Sequence, residues 1–219
     1  RVSPRRDPGR PRMIEKLEIE RLGQRGEGVA QGAAGPVFTP YALPGEVIRA
    51  EVEGDRGALI DILSPSPDRI APFCQHYSVC GGCAVQALAT PAYTAWKRDL
   101  VVAAIARAGV AAEVAPLVDA HGAGRRRATF HARCEGVRPE LGFMRARSHA
   151  IIEIDACPVL APAMRGAIGA ARAIAEILAA TRKPLDIVVT ATDGGLDVDF
   201  RGVGALNAGM SRALIAEIG

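Results

Sequence analysis

Aromatic residues are scarce in this chain, at 4% of 219 positions. Hydrophobic residues still make up 49%, so a packed core has to be built from Ala, Val, Leu and Ile. No apolar run approaches the roughly 20 residues that cross a bilayer as a helix, and no membrane partner is expected. The N-terminal residues contain no apolar h-region, which argues against secretion. The formal charge is only +3, too small to name a partner. No paired carboxylates and no Ser–His–Asp arrangement stand out. The four histidines, His76, His121, His131 and His149, show no metal or triad spacing. No internal repeat is present.

What the chain does have is a set of cysteines in an unusual pattern. Three lie in the compact run Cys74-x5-Cys80-Gly81-Gly82-Cys83, and a fourth opens Cys157-Pro158 far downstream. Four thiolates can hold an iron–sulfur cluster or a zinc ion. The two glycines would let backbone N–H groups approach the sulfurs, an arrangement that tunes clusters. His76, inside the loop, is a candidate outer donor. Disulfides fit poorly, because no secretory signal precedes them and a fifth cysteine, Cys134, is left over. Zinc sites usually show two close pairs, whereas this is a triplet plus one. The spacing alone leaves zinc and a cluster both open. Reduced thiols and a metal site fit a reducing cytoplasm.

The chain divides into four stretches. Residues 1–12 carry five arginines against one aspartate, with three prolines, and are expected to be disordered. Residues 13–64 read as short alternating strands separated by dense glycine turns, the pattern of a small five-stranded barrel. Residues 65–110 hold the cysteine loop and a helix. That helix starts at Thr90-Pro91, with Thr as N-cap, and closes at Gly109. Its expected buried face is Tyr93, Trp96, Leu100 and Ala104; Lys97, Arg98 and Arg107 make a solvated basic face. Residues 111–219 read as α+β: strands near 128–133, 141–145 and 151–154, a helix from Pro162 to Lys183, then a hairpin turning at Asp193-Gly194-Gly195.

Arg125-Arg126-Arg127 is the sharpest basic cluster. On a strand, Arg125, Arg127, Thr129, His131 and Arg133 share one face, with Arg138, Arg145 and Arg147 in adjoining hairpins. Such a face suits a phosphate backbone, although a three-arginine run alone is usually plain surface. Gly202-Val203-Gly204 follows a strand like the start of a nucleotide fingerprint, but Asn207 stands where the next glycine is required, so a turn is expected. Cys134 reads as a structural thiol.

Several segments together resemble one family, the RNA uracil-C5 methyltransferases. Ile14 to Ala30 with Leu43-Pro44-Gly45-Glu46 resembles the TRAM domain, an RNA-binding OB-like β-barrel. Cys74 to Cys83, followed by Gln86, is similar to the family's first three cluster ligands. Gly124 to Thr129, Leu141 to Arg145 and Asp155 to Pro162 are similar to its central domain, the last supplying Cys157. The resemblance implies a [4Fe–4S] cluster on Cys74, Cys80, Cys83 and Cys157. It also implies RNA as partner, ribosomal first and tRNA second, gripped by Arg125, Arg126, Arg127, His131, Arg133 and Arg145.

The chemistry so implied is thiolate-assisted. A cysteine adds to uracil C6, C5 takes the methyl of S-adenosylmethionine, a carboxylate removes the C5 proton, and the cysteine leaves. In the family, the Rossmann-like domain carrying cofactor, nucleophile and base follows the central domain. The expectation is therefore a cytoplasmic, monomeric RNA-binding and iron–sulfur portion, inactive alone, with no catalytic or cofactor-binding residue of its own. Two other readings remain: a free-standing RNA-binding module with a structural four-cysteine metal site, and a radical tRNA-modifying enzyme. The second would need a Cys-x3-Cys-x2-Cys loop, which the spacing here does not supply.

Overall fold

The structure, a computed structural model, describes residues 12–119, 124–136 and 138–218. The basic tail lies outside these residues except for Arg12, whose Nε stands 3.1 Å from Glu53 Oε2. The described residues fall into two compact units, one of residues 12–78 with 83–118 and one of residues 79–82 with those described from 119 onward.

The first unit is built on six strands: β1 (Met13–Glu18), β2 (Arg21–Leu22), β3 (Glu27–Gly32), β4 (Gly35–Pro40), β5 (Val47–Glu53) and β6 (Arg56–Ser64). Their order is β1-β5-β6-β4-β3-β2. The two edge strands are consecutive in sequence, because one segment changes partner halfway. Ile19 N–H donates to the Glu46 carbonyl at 2.8 Å, whereas Glu20 N–H donates to the Val29 carbonyl at 2.9 Å. The same segment thus borders both ends of the sheet and curls it into a barrel-like form. Counted as one bent strand, it accounts for the difference between the five strands expected and the six observed. Alternation in β5 sends Ile48, Ala50 and Val52 inward, where they meet Leu17, Ile19, Ala30, Val37 and Ala42. As composition requires, no aromatic ring is buried in this cluster.

Helix α1 (Thr90–Arg107) belongs to the same unit. Ala89, not Thr90, occupies the N-cap, and no side chain caps the helix. Tyr93 and Trp96 pack beside Leu22, Leu43, Ala87 and Leu88, as expected. Ala104 is exposed, against expectation, and no residue of the helix is fully buried. Arg98 is not simply solvated: its guanidinium donates twice to the Val114 carbonyl, at 2.8 and 3.1 Å, and straps down the following segment.

The second unit is a five-stranded antiparallel sheet ordered β11-β10-β7-β8-β9. Its strands are β7 (Arg127–Arg133), β8 (Glu140–Met144), β9 (Ile151–Glu153), β10 (Leu185–Thr192) and β11 (Gly195–Arg201). Helices α2 (Ala167–Leu178) and α3 (Ala208–Ile218) complete it. One face of the sheet is covered, so each strand alternates. Ala128, Phe130, Ala132, Leu185, Ile187 and Val189 turn inward against Ala171, Ile174, Ala175 and Leu178 of α2. Phe130 stacks on Phe143 with centroids 5.4 Å apart.

Pro162 begins only a 3-10 turn, Pro162–Met164. The helix proper starts after Gly166, whose φ of +87° breaks the run. It ends at Leu178, before the expected Lys183-Pro184 stop; a second 3-10 turn follows and Arg182 adopts φ +52°. Gly202-Val203-Gly204 is a structural turn: Val203 is buried in the core, and its carbonyl lies 3.4 Å from Lys183 Nζ.

Candidate functional site

The cysteine loop begins as a tight turn. Tyr77 N–H donates to the Cys74 carbonyl at 3.1 Å, and Ser78 takes φ +69°. The Tyr77 hydroxyl donates to the Ala84 carbonyl at 2.9 Å, and its ring meets Tyr41 edge-on at 5.2 Å. Burial pushes the Tyr77 hydroxyl up to about 12, so it stays a donor across the ordinary pH range. His76 lies 3.4 Å from the Gln75 side-chain amide.

The two glycines behave differently from one another. Gly82 N–H donates to Cys80 Sγ at 3.4 Å. Gly81 N–H goes instead to the Met144 carbonyl at 2.9 Å. The short stretch 79–82 is laid along the end of β8: Ala146 N–H donates to the Val79 carbonyl at 2.9 Å, and Cys80 bridges Arg145 in antiparallel fashion. A Cβ on Gly81 would stand 3.1 Å from that same Met144 carbonyl, so a side chain there would strain this seam.

Cys157 sits in a turn closed by Leu160 N–H donating to its carbonyl at 3.1 Å. It lines an open cleft of about 480 Å³, with Pro162, Arg165 and Arg172 among the walls. None of the five cysteines forms a disulfide, and each is half-buried. Cys134 lies just past β7, its thiol 3.8 Å from the Gly136 carbonyl. Cys74 and Cys83 belong to the first unit, Cys80 and Cys157 to the second. Among the described residues, no three His, Cys, Asp or Glu side chains are grouped as metal ligands. The donor set itself, four thiols with one already accepting a backbone N–H, is of the kind that suits a cluster or zinc.

The consecutive arginines go three ways. Arg125 precedes β7; its backbone pairs with the residues after Cys157, and its guanidinium donates to the Gly82 carbonyl at 3.0 Å. Arg126 reaches the Ala191 carbonyl at 3.3 Å and Asp193 at 3.4 Å. Arg127 opens β7 and is exposed. From there the expected alternation holds: Arg127, Thr129, His131 and Arg133 lie on the face away from the core. Acidic residues share that face. Asp186 pairs with His131, its Oδ1 2.7 Å from Nδ1, and Glu140 stands opposite Arg133. Asp199 is engaged by Arg201 at 2.9 Å. Arg145 is exposed at the end of β8, beside the cysteine loop.

One buried acid had no sequence signal beyond its place in Leu43-Pro44-Gly45-Glu46. Glu46 is fully buried in the first unit. It accepts from Leu43 N–H at 2.9 Å, Ser66 N–H at 3.3 Å and Arg69 Nη2 at 2.9 Å. Burial pushes its carboxyl up, but the Arg69 guanidinium and the two backbone donors outweigh it and hold the group below the usual value.

No family model matches the chain. Curated relatives do. An uncharacterized RNA methyltransferase of Caulobacter vibrioides is 41% identical over 202 residues, covering 90% of this chain and 49% of the relative. One of Brucella suis is 40% identical over 201 residues, covering 92% and 48%. The 23S rRNA (uracil(1939)-C(5))-methyltransferase RlmD of Halomonas elongata is 34% identical over 195 residues, covering 85% and 40%. The chain spans about half the length, or less, of these relatives. No described helix is long and apolar enough to cross a membrane. By its similarity across nine-tenths of its length, the chain belongs to the RNA methyltransferase family of these relatives.

Proposed function

We propose that this chain is the RNA-binding and iron–sulfur portion of an S-adenosylmethionine-dependent RNA uracil-C5 methyltransferase acting on ribosomal RNA. The observation that carries the reading is the 34% identity to a 23S rRNA uracil-C5 methyltransferase over 85% of the chain. The barrel of β1–β6 serves as a TRAM-type RNA-binding domain, which its curled, small-residue core supports. Cys74, Cys80, Cys83 and Cys157 hold a [4Fe–4S] cluster. With four sulfur ligands no iron is left open, so the bound group ties chain segments together rather than reacting.

The chain's own residues bind and orient. Arg127 and Arg133 on the outer face of β7, with Arg126, His131 and Arg145 nearby, supply cations for phosphates. None of the five cysteines is assigned as the nucleophile that adds to uracil C6, and no residue here is assigned to S-adenosylmethionine. The target uridine has to leave its stack before C6 can be attacked.

The test is methyl transfer by the protein that contains this chain. With radiolabelled S-adenosylmethionine and ribosomal RNA lacking the modification, digestion should release labelled 5-methyluridine. Label on a ribose, on another base, or only on tRNA would overturn the assignment of substrate or atom.

A further inference from the structure

We infer that Arg125 is a positioning residue for the cysteine site rather than an RNA contact. This rests on the proposed reading of Cys80 and Cys157 as ligands. Arg125 N–H donates to the Val159 carbonyl at 2.7 Å, and Ala161 N–H donates to the Arg125 carbonyl at 3.0 Å. These two bonds form a short parallel bridge centred on Leu160. The same turn is tied to Cys157, whose carbonyl accepts Leu160 N–H. Just upstream, a Cβ on Gly124 would lie 2.7 Å from the Val159 carbonyl, so the backbones touch closely enough that only glycine fits.

The side chain then turns the other way. Its Nη2 donates at 3.0 Å to the carbonyl of Gly82, two residues past Cys80. Gly82 N–H is the group that donates to Cys80 Sγ. A single residue therefore ties the segment bearing Cys157 to the segment bearing Cys80, spanning 43 positions of sequence to Gly82. An arginine suits this role because its guanidinium stays charged, and a charge-assisted bond to a carbonyl is stronger than a neutral one. Arg126, by contrast, reaches Ala191 and Asp193 at the β10 hairpin, and Arg127 points outward. Among the described residues, neither of these two side chains hydrogen-bonds to a cysteine segment. Partners that orient metal ligands typically matter by 10–100-fold in affinity.

The experiment compares wild type with Arg125→Ala, Arg125→Lys and Arg126→Ala, all purified without oxygen. Iron release to a chelator is followed by loss of visible absorption, and the thermal midpoint of each metal-free form is recorded. Arg125→Ala should release iron about 10-fold faster than wild type. Arg125→Lys should fall between, and Arg126→Ala should match wild type in release. The metal-free midpoints of the two alanine variants should lie close together, since each loses a guanidinium bond to a backbone carbonyl. Equal release rates for Arg125→Ala and wild type overturn the inference while leaving the cluster standing. So does equal acceleration by Arg126→Ala, which would make the effect one of general charge, or a metal-free midpoint lowered by Arg125→Ala alone. Wild type with no iron, no sulfide and no zinc overturns the cysteine reading and this assignment with it.

Discussion

Arg69 and Glu46 form an ion pair inside the first unit, Nη2 to Oε2 at 2.9 Å, with the carboxylate fully buried and the guanidinium also donating to the Tyr41 carbonyl at 2.7 Å. The acid satisfies two backbone N–H groups as well, so it ties the Leu43–Glu46 turn to the segment leaving β6. Glu46→Gln leaves the cation underpaired. It should cost about 3 kcal/mol, read from urea unfolding at neutral pH. A loss below about 0.5 kcal/mol, the range of ordinary surface changes, would show the pair to be incidental.

The same carboxyl sets an acid limit. Its native pKa lies below the ordinary 4.5, so its contribution is complete above that value. Stability should fall as pH drops from about 4.5 through the depressed native value. In Glu46→Gln this part of the acid dependence should be missing. A mutant whose pH profile below 4.5 parallels wild type would contradict the direction of the shift.

Gly142 sits in β8 opposite His131 of β7 and Glu153 of β9. An added Cβ would lie 1.8 Å from the Ile152 carbonyl, a backbone atom that cannot step aside alone. Gly142→Ala should destabilise the second unit by about 3 kcal/mol. Gly136→Ala, with nothing within 4 Å, is the matched control and should change little. Similar melting of both variants would refute the close approach.

The outer face of β7 is where RNA affinity should reside. Arg127→Ala with Arg133→Ala should weaken RNA binding and lower the salt slope by about 0.7–0.9 for each phosphate no longer neutralised. His131 should contribute less, because Asp186 already engages its Nδ1. A double variant with an unchanged slope removes this face from the interface.

Much of this was legible in the residues themselves. Alternation placed Phe130 inside and His131 outside in β7, because a sheet covered on one face leaves strands no other choice. Ala171, Ala175 and Leu178 recur at helical spacing, and they lie on the buried side of α2 for the same kind of reason. Other features were not local. Ile19 and Glu20 change strand partners, which no pattern along one strand reveals. The break at Gly166 depends on a left-handed φ that Pro162 hides by looking like a helix start. Three adjacent arginines look alike in sequence, and only tertiary structure separates Arg125, aimed at Gly82, from Arg127 on the open face. The cysteine spacing raises the expectation of a metal site, and the structure does not group three such ligands among the described residues. In metal proteins generally, binding free energy is coupled to folding, so ligand grouping is not legible from spacing alone.

The most direct test is therefore metal content. Iron, acid-labile sulfide and zinc should be measured per chain after oxygen-free purification, in wild type and in Cys157→Ser. About four irons and four sulfides, lost on the substitution, is the expected result. One zinc without sulfide, in protein never exposed to air, would contradict the iron–sulfur reading and favour a zinc-stapled RNA-binding unit.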